Sequence, residues 1–431
     1  MAGGKGTRLQ SVTKDEIPKP MVIFSGKPLI EHAIINMIEN GIKEIFIIIG
    51  HLGSKIIKYC GDGEKWNISI EYIIEDKPLG TAGALYYLKN KCQSDFLLVY
   101  ADVFFQIDVK RMYQFHKKKN SEVTLLVHPN SHPYDSDLII KDSMDKVINL
   151  VTKNNRIKRS YDNCVNAGIF LFSRKFLNHF KKAAKSDLEK DILKQMVEKH
   201  EDVYAYHSTE FVMDVGTPER LKIGEQINNI GIPQKKCLKH KQKCIFLDRD
   251  GTLNIFRGLI SKPEQIQLIP GVADAIQYIN QSEYMVIVIT NQPVIARGLC
   301  SIQELDEIHN YLKTLLGDQG AYLDDIKYCP HHPDKGYPEE NPYYKVECDC
   351  RKPKPGLILK ASMEYNIDLN QSWMVGDTYR DVFCGKNAGV KNALIENEYS
   401  EPISDLVNKD IIKNTDFLFH NLNEAIEYII R

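Results

Sequence analysis

The sequence predicts an α/β protein built from two domains. The chain has 431 residues, and at roughly 100 to 200 residues per domain this length is enough for two separate cores. Short apolar runs alternate with stretches of helical periodicity, which is typical of parallel sheets covered by helices on both faces. A lysine-rich stretch without apolar periodicity, residues 231–243, divides the chain. We therefore expect one domain over residues 1–230, a linker over 231–243 and a second domain over 244–431.

Five apolar runs have the length and composition of buried strands. They are EIFIIIG (44–50), DFLLVYAD (95–102), CIFLD (244–248), YMVIVIT (284–290) and WMVGD (373–377). Helical periodicity is clearest in PLIEHAIINMIENG (28–41) and GVADAIQYINQS (271–282).

Composition narrows the classes of function. The 56 Lys and Arg residues balance 57 Asp and Glu residues, so no net field would attract nucleic acid or an anionic membrane. No apolar run approaches the roughly 20 residues that span a bilayer, and the N-terminus MAGGKGTRLQ does not resemble a signal peptide. We therefore expect a cytoplasmic protein in which any binding of polyanions is local, with no nucleic-acid or membrane partner; the oligomeric state stays open. The ten cysteines are expected to be buried thiols or metal ligands, with disulfides as the alternative.

The N-terminal loop AGGKGTRL (2–9) and the following PKPM (18–21) have the composition of a polyphosphate site. Glycines let backbone N–H groups approach phosphate closely, while Arg8 and Lys19 supply positive charge. The expected nucleotide-binding residues of this loop are Gly3, Gly4, Gly6 and Thr7. The two motifs together resemble those of the sugar-phosphate nucleotidyltransferases, whose sheet is Rossmann-like, and the resemblance covers about the first 230 residues.

Later motifs follow the order of that family. PLGTAGAL (78–85) resembles its nucleotide-base segment, and VNAGIFLF (165–172) and LEKD (188–191) resemble its sugar pocket. The resemblance implies nucleotide or sugar binding by Gly80, Thr81, Asn166, Gly168 and Glu189, and contact between Lys153 and the phosphate of a sugar 1-phosphate. It also implies that Asp102 and Asp214 hold Mg²⁺ between them. Taken singly, Asp102 could equally cap a strand, and Lys153 could be a solvated lysine.

Two departures from the family pattern concern this domain. Ala101 stands where relatives usually have Gly, and the Gly-rich loop is not preceded by the usual apolar strand. Losing a buried strand forfeits roughly 1.5 to 3 kcal/mol for each large apolar side chain and leaves ladder groups unpaired. We therefore expect the natural chain to begin upstream of Met1.

The stretch CIFLDRDGTLN (244–254) places two carboxylates, Asp248 and Asp250, directly after a buried strand. Strand alternation predicts that both point to one side and Arg249 to the other. One aspartate can act as a nucleophile and the other as an acid. The stretch resembles the signature of the haloacid-dehalogenase phosphohydrolases, whose sheet is also Rossmann-like.

Further motifs occur in the order of that superfamily: Thr290 and Asn291 end a strand, and Lys352 lies in CRKPKPG. Asp377 and Asp381 follow in VGDTYRD. The resemblance implies that Asp248 attacks phosphorus, Asp250 protonates the leaving oxygen and Thr290 binds a phosphoryl oxygen. Repulsion between an anionic nucleophile and an anionic phosphate has to be cancelled by cations. The expected cations are Lys352 and a Mg²⁺ held by Asp248, Asp250 and Asp377.

A group of cysteines and histidines lies between these motifs, in CPHH (329–332) and CDC (348–350). Three sulfurs and one nitrogen are a common tetrahedral environment for structural Zn²⁺. Spacing leaves His331 and His332 as alternatives, and a disulfide or an unliganded cluster is the competing interpretation. The domain resembles the D-glycero-D-manno-heptose 1,7-bisphosphate 7-phosphatases and the related histidinol phosphatases. That resemblance selects Cys329, His331, Cys348 and Cys350 as zinc ligands, and implies that Arg351 contacts the substrate.

The two domains together suggest consecutive reactions. A phosphatase that leaves a heptose 1-phosphate would supply a nucleotidyltransferase that consumes it, with GTP as the favoured donor because the first domain most resembles heptose 1-phosphate guanylyltransferases. A mannose-type sugar phosphate stays open for the first domain. In the second domain Pro293 and Val294 replace the usual Ser-Gly near the phosphate, which bears on the choice of substrate more than on the reaction type. The alternative is an active phosphatase, acting on histidinol phosphate or another sugar phosphate, regulated by a degenerate nucleotide-sugar-binding domain.

Overall fold

This computed structural model describes residues 1–2, 9–152, 160–400 and 413–431. Their contacts divide the chain into two compact units, with the main boundary between Cys237 and Leu238. Of the described residues, 129–135 and 160–163 group with the second unit.

The strands of the first unit form several small sheets and one large mixed sheet. Within the described residues these strands are β1 (Ile23–Phe24), β2 (Lys27–Pro28), β3 (Glu44–Ile49), β4 (Ser69–Ile74), β5 (Phe96–Val99), β6 (Val103–Gln106), β7 (Val123–His128), β8 (Leu138–Lys141), β9 (Val147–Val151), β10 (Val165–Phe172), β11 (Val203–His207) and β12 (Phe211–Asp214). The large sheet has the order β11-β7-β10-β8-β9, with β5 also paired to β10.

The large sheet is mixed, whereas the sequence pattern predicted parallel sheets. Only β11 runs parallel to its neighbour, whereas β10 is antiparallel to β5, β7 and β8. The strands β8 and β9 are joined by a tight turn, a connection that only antiparallel strands can make. The pair formed by β3 and β4 is parallel, as expected.

The first two residues of the chain lie between the edges of β3 and β5. The Met1 ammonium donates to the Val99 carbonyl at 2.9 Å, and Ala2 N–H donates to the Ile48 carbonyl at 2.9 Å. Next to Met1 is a cavity of about 570 Å³, lined mainly by apolar side chains of the helix 29–39, β3 and β5.

The second unit contains one sheet in which every pair of neighbouring strands is parallel, as predicted. Its strands are β13 (Lys243–Leu247), β14 (Tyr284–Asn291), β15 (Asp325–Cys329), β16 (Trp373–Gly376), β17 (Lys391–Ile395) and β18 (Phe417–Phe419), in the order β15-β14-β13-β16-β17-β18. The chain leaves the central β13 for β14 on one side and later returns to β16 on the other. Such a switch in strand order opens a crevice at the carboxyl ends of the strands.

The α-helices among the described residues are α1 (Gln10–Thr13), α2 (Leu29–Glu39), α3 (Gly53–Cys60), α4 (Val109–Lys118), α5 (Lys194–Glu198), α6 (Pro218–Asn229), α7 (Ile232–Lys235), α8 (Val272–Asn280), α9 (Ile302–Gly317), α10 (Gly356–Glu364), α11 (Tyr379–Ala388) and α12 (Leu422–Ile430). The start of α9 shows how local sequence sets such boundaries. The Glu304 backbone N–H donates to Ser301 Oγ at 3.2 Å, and Ser301 N–H donates to the Glu304 carboxylate at 2.7 Å, a capping box that satisfies two free donors. Within the described part of the chain, no helix combines the length and apolar character needed to cross a membrane.

Candidate active sites

Three carboxylates and one lysine meet at the carboxyl ends of the central strands of the second unit. Asp248 follows β13, Asp377 follows β16, and Asp381 lies in the first turn of α11. One oxygen from each of these three aspartates lies within 4.8 Å of the others. The Lys352 ammonium contacts Asp248 Oδ1 at 2.7 Å and Asp381 Oδ1 at 2.6 Å. All four side chains are buried.

The charges at this site do not balance, because three carboxylates face one ammonium. Burial, followed by the negative charge of Asp381, raises the pKa of Asp248 to about 7, against the opposing effect of Lys352. Burial disfavours the Lys352 ammonium, but the charges of Asp248 and Asp381 outweigh it and raise the lysine pKa. A divalent cation would supply the missing positive charge, and carboxylate oxygens are ligands that Mg²⁺ prefers. The residues present therefore fit a magnesium ion.

Asp381 has two roles that use different oxygens. Its Oδ2 accepts from the Thr378 hydroxyl at 2.7 Å and from the Thr378 backbone N–H at 3.0 Å, which caps α11, while Oδ1 binds Lys352. Burial opposes ionisation of Asp381, yet Lys352 and Thr378 together lower its pKa. Asp381 belongs to the predicted motif VGDTYRD, but no separate role was predicted for its side chain. The available signal was its position four residues after Asp377, which lies directly before a helix start.

The two residues that end β14 hold different parts of the site. The Asn291 side chain accepts from the Lys352 backbone N–H at 2.9 Å and donates to the Lys352 carbonyl at 3.1 Å, so it clamps this residue at both ends. Thr290 is buried, and its hydroxyl accepts from the Gln292 side chain at 2.8 Å. The structure thus connects Asn291 directly to Lys352, while the predicted contact of Thr290 with a phosphoryl oxygen stays a prediction.

Asp250 is held by a separate group of side chains, and the predicted orientation of Arg249 is wrong. Because β13 ends at Leu247, strand alternation no longer applies to residues 248–250. Arg249 does not point away from Asp250, since its Nη2 donates to Asp250 Oδ2 at 2.8 Å. The Asp250 carboxylate does not belong to the group formed by Asp248, Asp377 and Asp381. Its expected role as a magnesium ligand stays a prediction.

The four predicted zinc ligands form one compact cluster. The Sγ–Sγ separations are 3.6 Å for Cys329 and Cys348, 3.2 Å for Cys329 and Cys350, and 3.3 Å for Cys348 and Cys350. His331 Nδ1 lies 3.7 Å from the Cys329 sulfur and 3.3 Å from the Cys350 sulfur. Ligands about 2.0 to 2.3 Å from one zinc ion at the corners of a tetrahedron are roughly 3.3 to 3.8 Å apart. The four ligand atoms therefore converge closely enough to surround one zinc ion, in a cluster slightly more compact than a zinc-bound one.

The alternatives that the sequence left open can be compared with this geometry. The sulfur separations exceed the roughly 2.05 Å of a disulfide bond, and all ten cysteines are free. His331, not His332, contributes its ring nitrogen to the cluster. The pKa of Cys350 is lowered to about 5 by a hydrogen bond with Cys329 and by weaker ones with Cys348 and His331, despite its burial. One thiolate is therefore available to a cation. Next to the cluster, Arg351 Nη1 donates to the His331 carbonyl at 3.2 Å.

In the first unit, a lysine and two aspartates predicted for catalysis lie close together. Lys19 Nζ contacts Asp102 Oδ2 at 2.6 Å. A Cβ added to Gly216 would lie 2.9 Å from Lys19 Nζ and 2.6 Å from Asp214 Oδ1, so both groups border the same point. The Val215 N–H donates to the Asp102 carbonyl at 3.2 Å, which keeps the segments bearing the two aspartates side by side. This geometry brings Asp102 and Asp214 together as expected, and metal binding by them stays a prediction.

The predicted sugar pocket centres on Glu189, which lies in a π-helical turn, Leu188–Leu193. The Tyr100 hydroxyl is 2.9 Å and 3.1 Å from its two oxygens, and Asn166 Nδ2 is 3.4 Å from Oε1. Burial raises the pKa of Glu189 against the effect of the Tyr100 hydrogen bond. Thr81 Oγ1 accepts from the Leu188 N–H at 2.8 Å, which ties the nucleotide-base segment to this turn.

Two glycines of these segments have backbones that favour glycine. Gly80 and Gly168 have φ values of 77° and 71°. A Cβ on Gly168 would lie 2.9 Å from the Tyr100 ring, and one on Gly80 would overlap the Ser186 carbonyl. The sequence analysis missed Tyr100, whose position two residues before Asp102 was the available signal. The predicted residues Gly3, Gly4, Gly6, Thr7, Arg8 and Lys153 lie outside the described residues.

These two sites and their folds define an enzyme that joins a nucleotidyltransferase unit to a phosphatase unit. The family model described as Nucleotidyl transferase matches residues 1–226, and the HAD-hydrolase-like model matches residues 349–425. The D-glycero-beta-D-manno-heptose-1,7-bisphosphate 7-phosphatase of Pasteurella multocida (strain Pm70) is 44% identical over 154 residues, which cover 36% of this chain and 81% of that protein. The protein of the same name from Haemophilus ducreyi (strain 35000HP / ATCC 700724) is 36% identical over 189 residues, which cover 44% of this chain and 98% of that protein.

Among solved structures, HddC from Yersinia pseudotuberculosis is 24% identical and covers 52% of this chain and 96% of its own, with a TM-score of 0.46. The chain therefore belongs to the nucleotidyl transferase family through its first 226 residues, and to the family of the D-glycero-beta-D-manno-heptose-1,7-bisphosphate 7-phosphatases through its second unit. The two resemblances and the enzymatic classes predicted from the sequence are confirmed.

Proposed function

We propose that the second unit removes the 7-phosphate of D-glycero-D-manno-heptose 1,7-bisphosphate and that the first unit transfers a nucleotidyl group, GMP from GTP, to the resulting heptose 1-phosphate. The names of the curated relatives support the substrate of the second unit. The observation that carries the proposal is the contact of Lys352 with Asp248 inside a group of buried carboxylates at the switch point of the sheet.

The proposed hydrolysis has two steps. Asp248 Oδ attacks phosphorus while the bond to the sugar oxygen breaks, and Asp250 gives its proton to that leaving oxygen. Asp250 then takes a proton from water, whose oxygen attacks the phosphorus of the aspartyl phosphate and releases free phosphate and Asp248. Lys352 offsets the repulsion between the Asp248 carboxylate and the phosphate, and Thr290 binds a phosphoryl oxygen. A bound Mg²⁺, held by Asp248 and Asp377 with Asp381 close by, would supply further charge neutralisation.

The proposed nucleotidyl transfer needs no covalent intermediate. An oxygen of the sugar 1-phosphate attacks the α-phosphorus of the nucleotide in line, and pyrophosphate leaves. Lys19 and Arg8 offset the charge of the polyphosphate, Lys153 meets the sugar phosphate, and Glu189 binds sugar hydroxyls. Asp102 and Asp214 would hold a Mg²⁺ that neutralises charge at the reacting phosphate.

The cluster of Cys329, His331, Cys348 and Cys350 is proposed to hold a structural Zn²⁺, since protein ligands fill all four tetrahedral positions. The ion would fix the loop 332–347 next to Arg351, which we propose contacts the substrate. Free thiols suit a reducing compartment, so the cytoplasm is the proposed location.

The test follows the two products separately. The intact protein is incubated with the heptose bisphosphate, Mg²⁺ and each nucleoside triphosphate in turn, and free phosphate and pyrophosphate are measured. We expect Asp248→Asn to abolish phosphate release from the bisphosphate, while pyrophosphate release continues when heptose 1-phosphate is added. We expect Asp102→Asn to abolish pyrophosphate release while phosphate release continues. Each variant is the control for the other unit. Phosphate release at the wild-type rate by Asp248→Asn would refute the proposed nucleophile.

In a second candidate function, the first unit binds a sugar nucleotide and regulates the phosphatase without catalysis. This candidate predicts no pyrophosphate with any nucleoside triphosphate, together with a phosphatase rate that changes when a sugar nucleotide is added. Pyrophosphate release that depends on Asp102 would eliminate it.

A further inference from the structure

The second unit contains a fully buried arginine that the proposed reaction does not use. Arg249 has 0% exposure and is the largest fully buried side chain among the described residues. Removing a guanidinium from water costs several kcal/mol unless hydrogen bonds and an opposite charge compensate. The partners of Arg249 are therefore expected to be held strongly in place.

The compensating charge is the Asp250 carboxylate. Arg249 Nη2 lies 2.8 Å from Asp250 Oδ2 and 3.1 Å from Oδ1, while Nε lies 3.2 Å from Oδ1. The arrangement is a forked contact of the kind that fixes a carboxylate in both distance and plane. The Asp250 side chain keeps 17% exposure, so its carboxylate is anchored from the buried side and remains open to the crevice.

Two buried amides complete the anchor. The Gln292 side chain accepts from Arg249 Nη2 at 2.9 Å and donates to Asp250 Oδ2 at 3.0 Å and to Thr290 Oγ1 at 2.8 Å. The Asn254 side chain donates to Asp250 Oδ1 at 3.0 Å. Gln292 thus connects the carboxylate assigned to proton transfer with the hydroxyl assigned to phosphate binding.

The His309 imidazole, which is also buried near Arg249, adds no second positive charge. Burial, together with the positive charge of Arg249, holds the pKa of His309 well below its usual range, so His309 is neutral. The two aspartates of the Asp-Arg-Asp motif contact different buried cations. Lys352 contacts Asp248, and Arg249 contacts Asp250.

We propose that Arg249, with Gln292 as a bridge, is a positioning residue that fixes the Asp250 carboxyl group for proton transfer to the leaving oxygen. The inference rests on the proposed phosphatase reaction. Because Arg249 is fully buried, it is not accessible to a substrate and acts through the Asp250 carboxyl group. A misplaced acid penalises a leaving alkoxide, which needs a proton, much more than a leaving 4-nitrophenolate, which is stable as an anion.

The experiment compares two substrates, the heptose bisphosphate and 4-nitrophenyl phosphate, with Arg249→Met. Positioned proton transfer contributes on the order of 10²- to 10⁴-fold to a rate, so we expect kcat for the sugar substrate to fall by about 10²-fold or more. We expect a much smaller fall for 4-nitrophenyl phosphate, and an intermediate result for Arg249→Lys, which keeps the charge but not the fork. Arg257→Met, at an exposed arginine of the same loop, is the matched control and should leave both rates unchanged.

A second readout uses the sugar substrate alone. If Arg249 acts through Asp250, the double variant Arg249→Met/Asp250→Asn should be no slower than Asp250→Asn, because the second change has nothing left to remove. Multiplicative losses in the double variant would overturn the inference. Gln292→Met carries the same comparisons if Arg249→Met does not fold.

The outcomes distinguish a failure of the proposed phosphatase function from a failure of the role proposed for Arg249. A wild-type protein that hydrolyses neither ester would overturn the proposed function and this inference with it. A wild-type protein that hydrolyses both esters, with Arg249→Met slowing both by the same factor, would overturn the inference alone.

Discussion

The buried ammonium of Lys352 should be a major source of stability for the second unit, which Lys352→Met would test. The lysine side chain is 2% exposed and contacts Asp248 at 2.7 Å and Asp381 at 2.6 Å. Methionine has a similar length and no charge, so the substitution keeps most of the packing volume. It leaves Asp248 and Asp381 buried without their shared cation.

The magnitude follows from these contacts. At an effective dielectric constant of about 20, unit charges about 2.7 Å apart attract by roughly 6 kcal/mol, and the cost of burying the lysine offsets much of this. Removing one partner from a buried ion pair costs about 3 to 5 kcal/mol. The loss should be smaller below pH 7, because Asp248, with a pKa raised to about 7, then becomes protonated and needs no counter-charge.

The assay is urea unfolding followed by Trp373 fluorescence, in a Trp66→Phe background and without added divalent cation. Trp373 lies in β16 of the second unit, and the chain has two tryptophans. With a slope of about 2 kcal/mol per molar urea, a loss of about 4 kcal/mol moves the midpoint by roughly 2 M. Lys354→Met removes an exposed lysine two positions away and is the matched control, with no expected shift. Equal midpoints for the two variants would refute the reasoning.

Three further predictions concern other parts of the second unit. Cys348→Ser should lower the zinc content measured by atomic emission from one ion per chain to nearly none. Cys300→Ser, at a buried cysteine outside the cluster, should keep the metal. Equal zinc content in both variants would contradict the assigned ligands. His309 takes up a proton near pH 6.5 in the unfolded chain but not in the folded chain. The free energy of unfolding therefore falls as the pH drops below this value, by up to about 1.4 kcal/mol per pH unit. His309→Leu should reduce this pH dependence in thermal unfolding from pH 8 to 5, and an unchanged dependence would count against the buried neutral imidazole. Gly251 and Gly258 both have positive φ, but only a Cβ on Gly251 would overlap the Asp377 carboxylate. Gly251→Ala should therefore reduce the rate of phosphate release more than tenfold, and Gly258→Ala should not. Similar rates for both variants would contradict the assigned position of Asp377.

The proximity of several candidate residues in the second unit could be predicted because these residues lie at the ends of apolar strands. Asp248, Asn291 and Asp377 lie at the carboxyl ends of β13, β14 and β16, and parallel strands bring these ends to one edge. The position of Arg249 could not be predicted in this way. Alternation holds only while the strand continues, and β13 stops one residue before Asp248.

Other features depended on contacts between distant segments. The contact of Tyr100 with Glu189 joins residues 89 positions apart in the sequence, and no local pattern marks such a pair. The antiparallel pairing of β10 with three neighbours was missed for a similar reason, since alternation of strands and helices indicates the layers of a fold more directly than the direction of each strand. The motif that contains Asp381 was recognised, but its contact with Lys352 was not predicted, because it joins residues 29 positions apart in the sequence.

The most direct test of the account is whether phosphate becomes covalently attached to Asp248. The protein is mixed with the heptose bisphosphate and Mg²⁺, quenched in acid during turnover and analysed by peptide mass spectrometry. The account predicts one phosphoryl group on the peptide that contains Asp248, and none in Asp248→Asn. Rapid phosphate release by the wild-type protein, with Asp248 unmodified at every quench time and Asp248→Asn equally active, would contradict it.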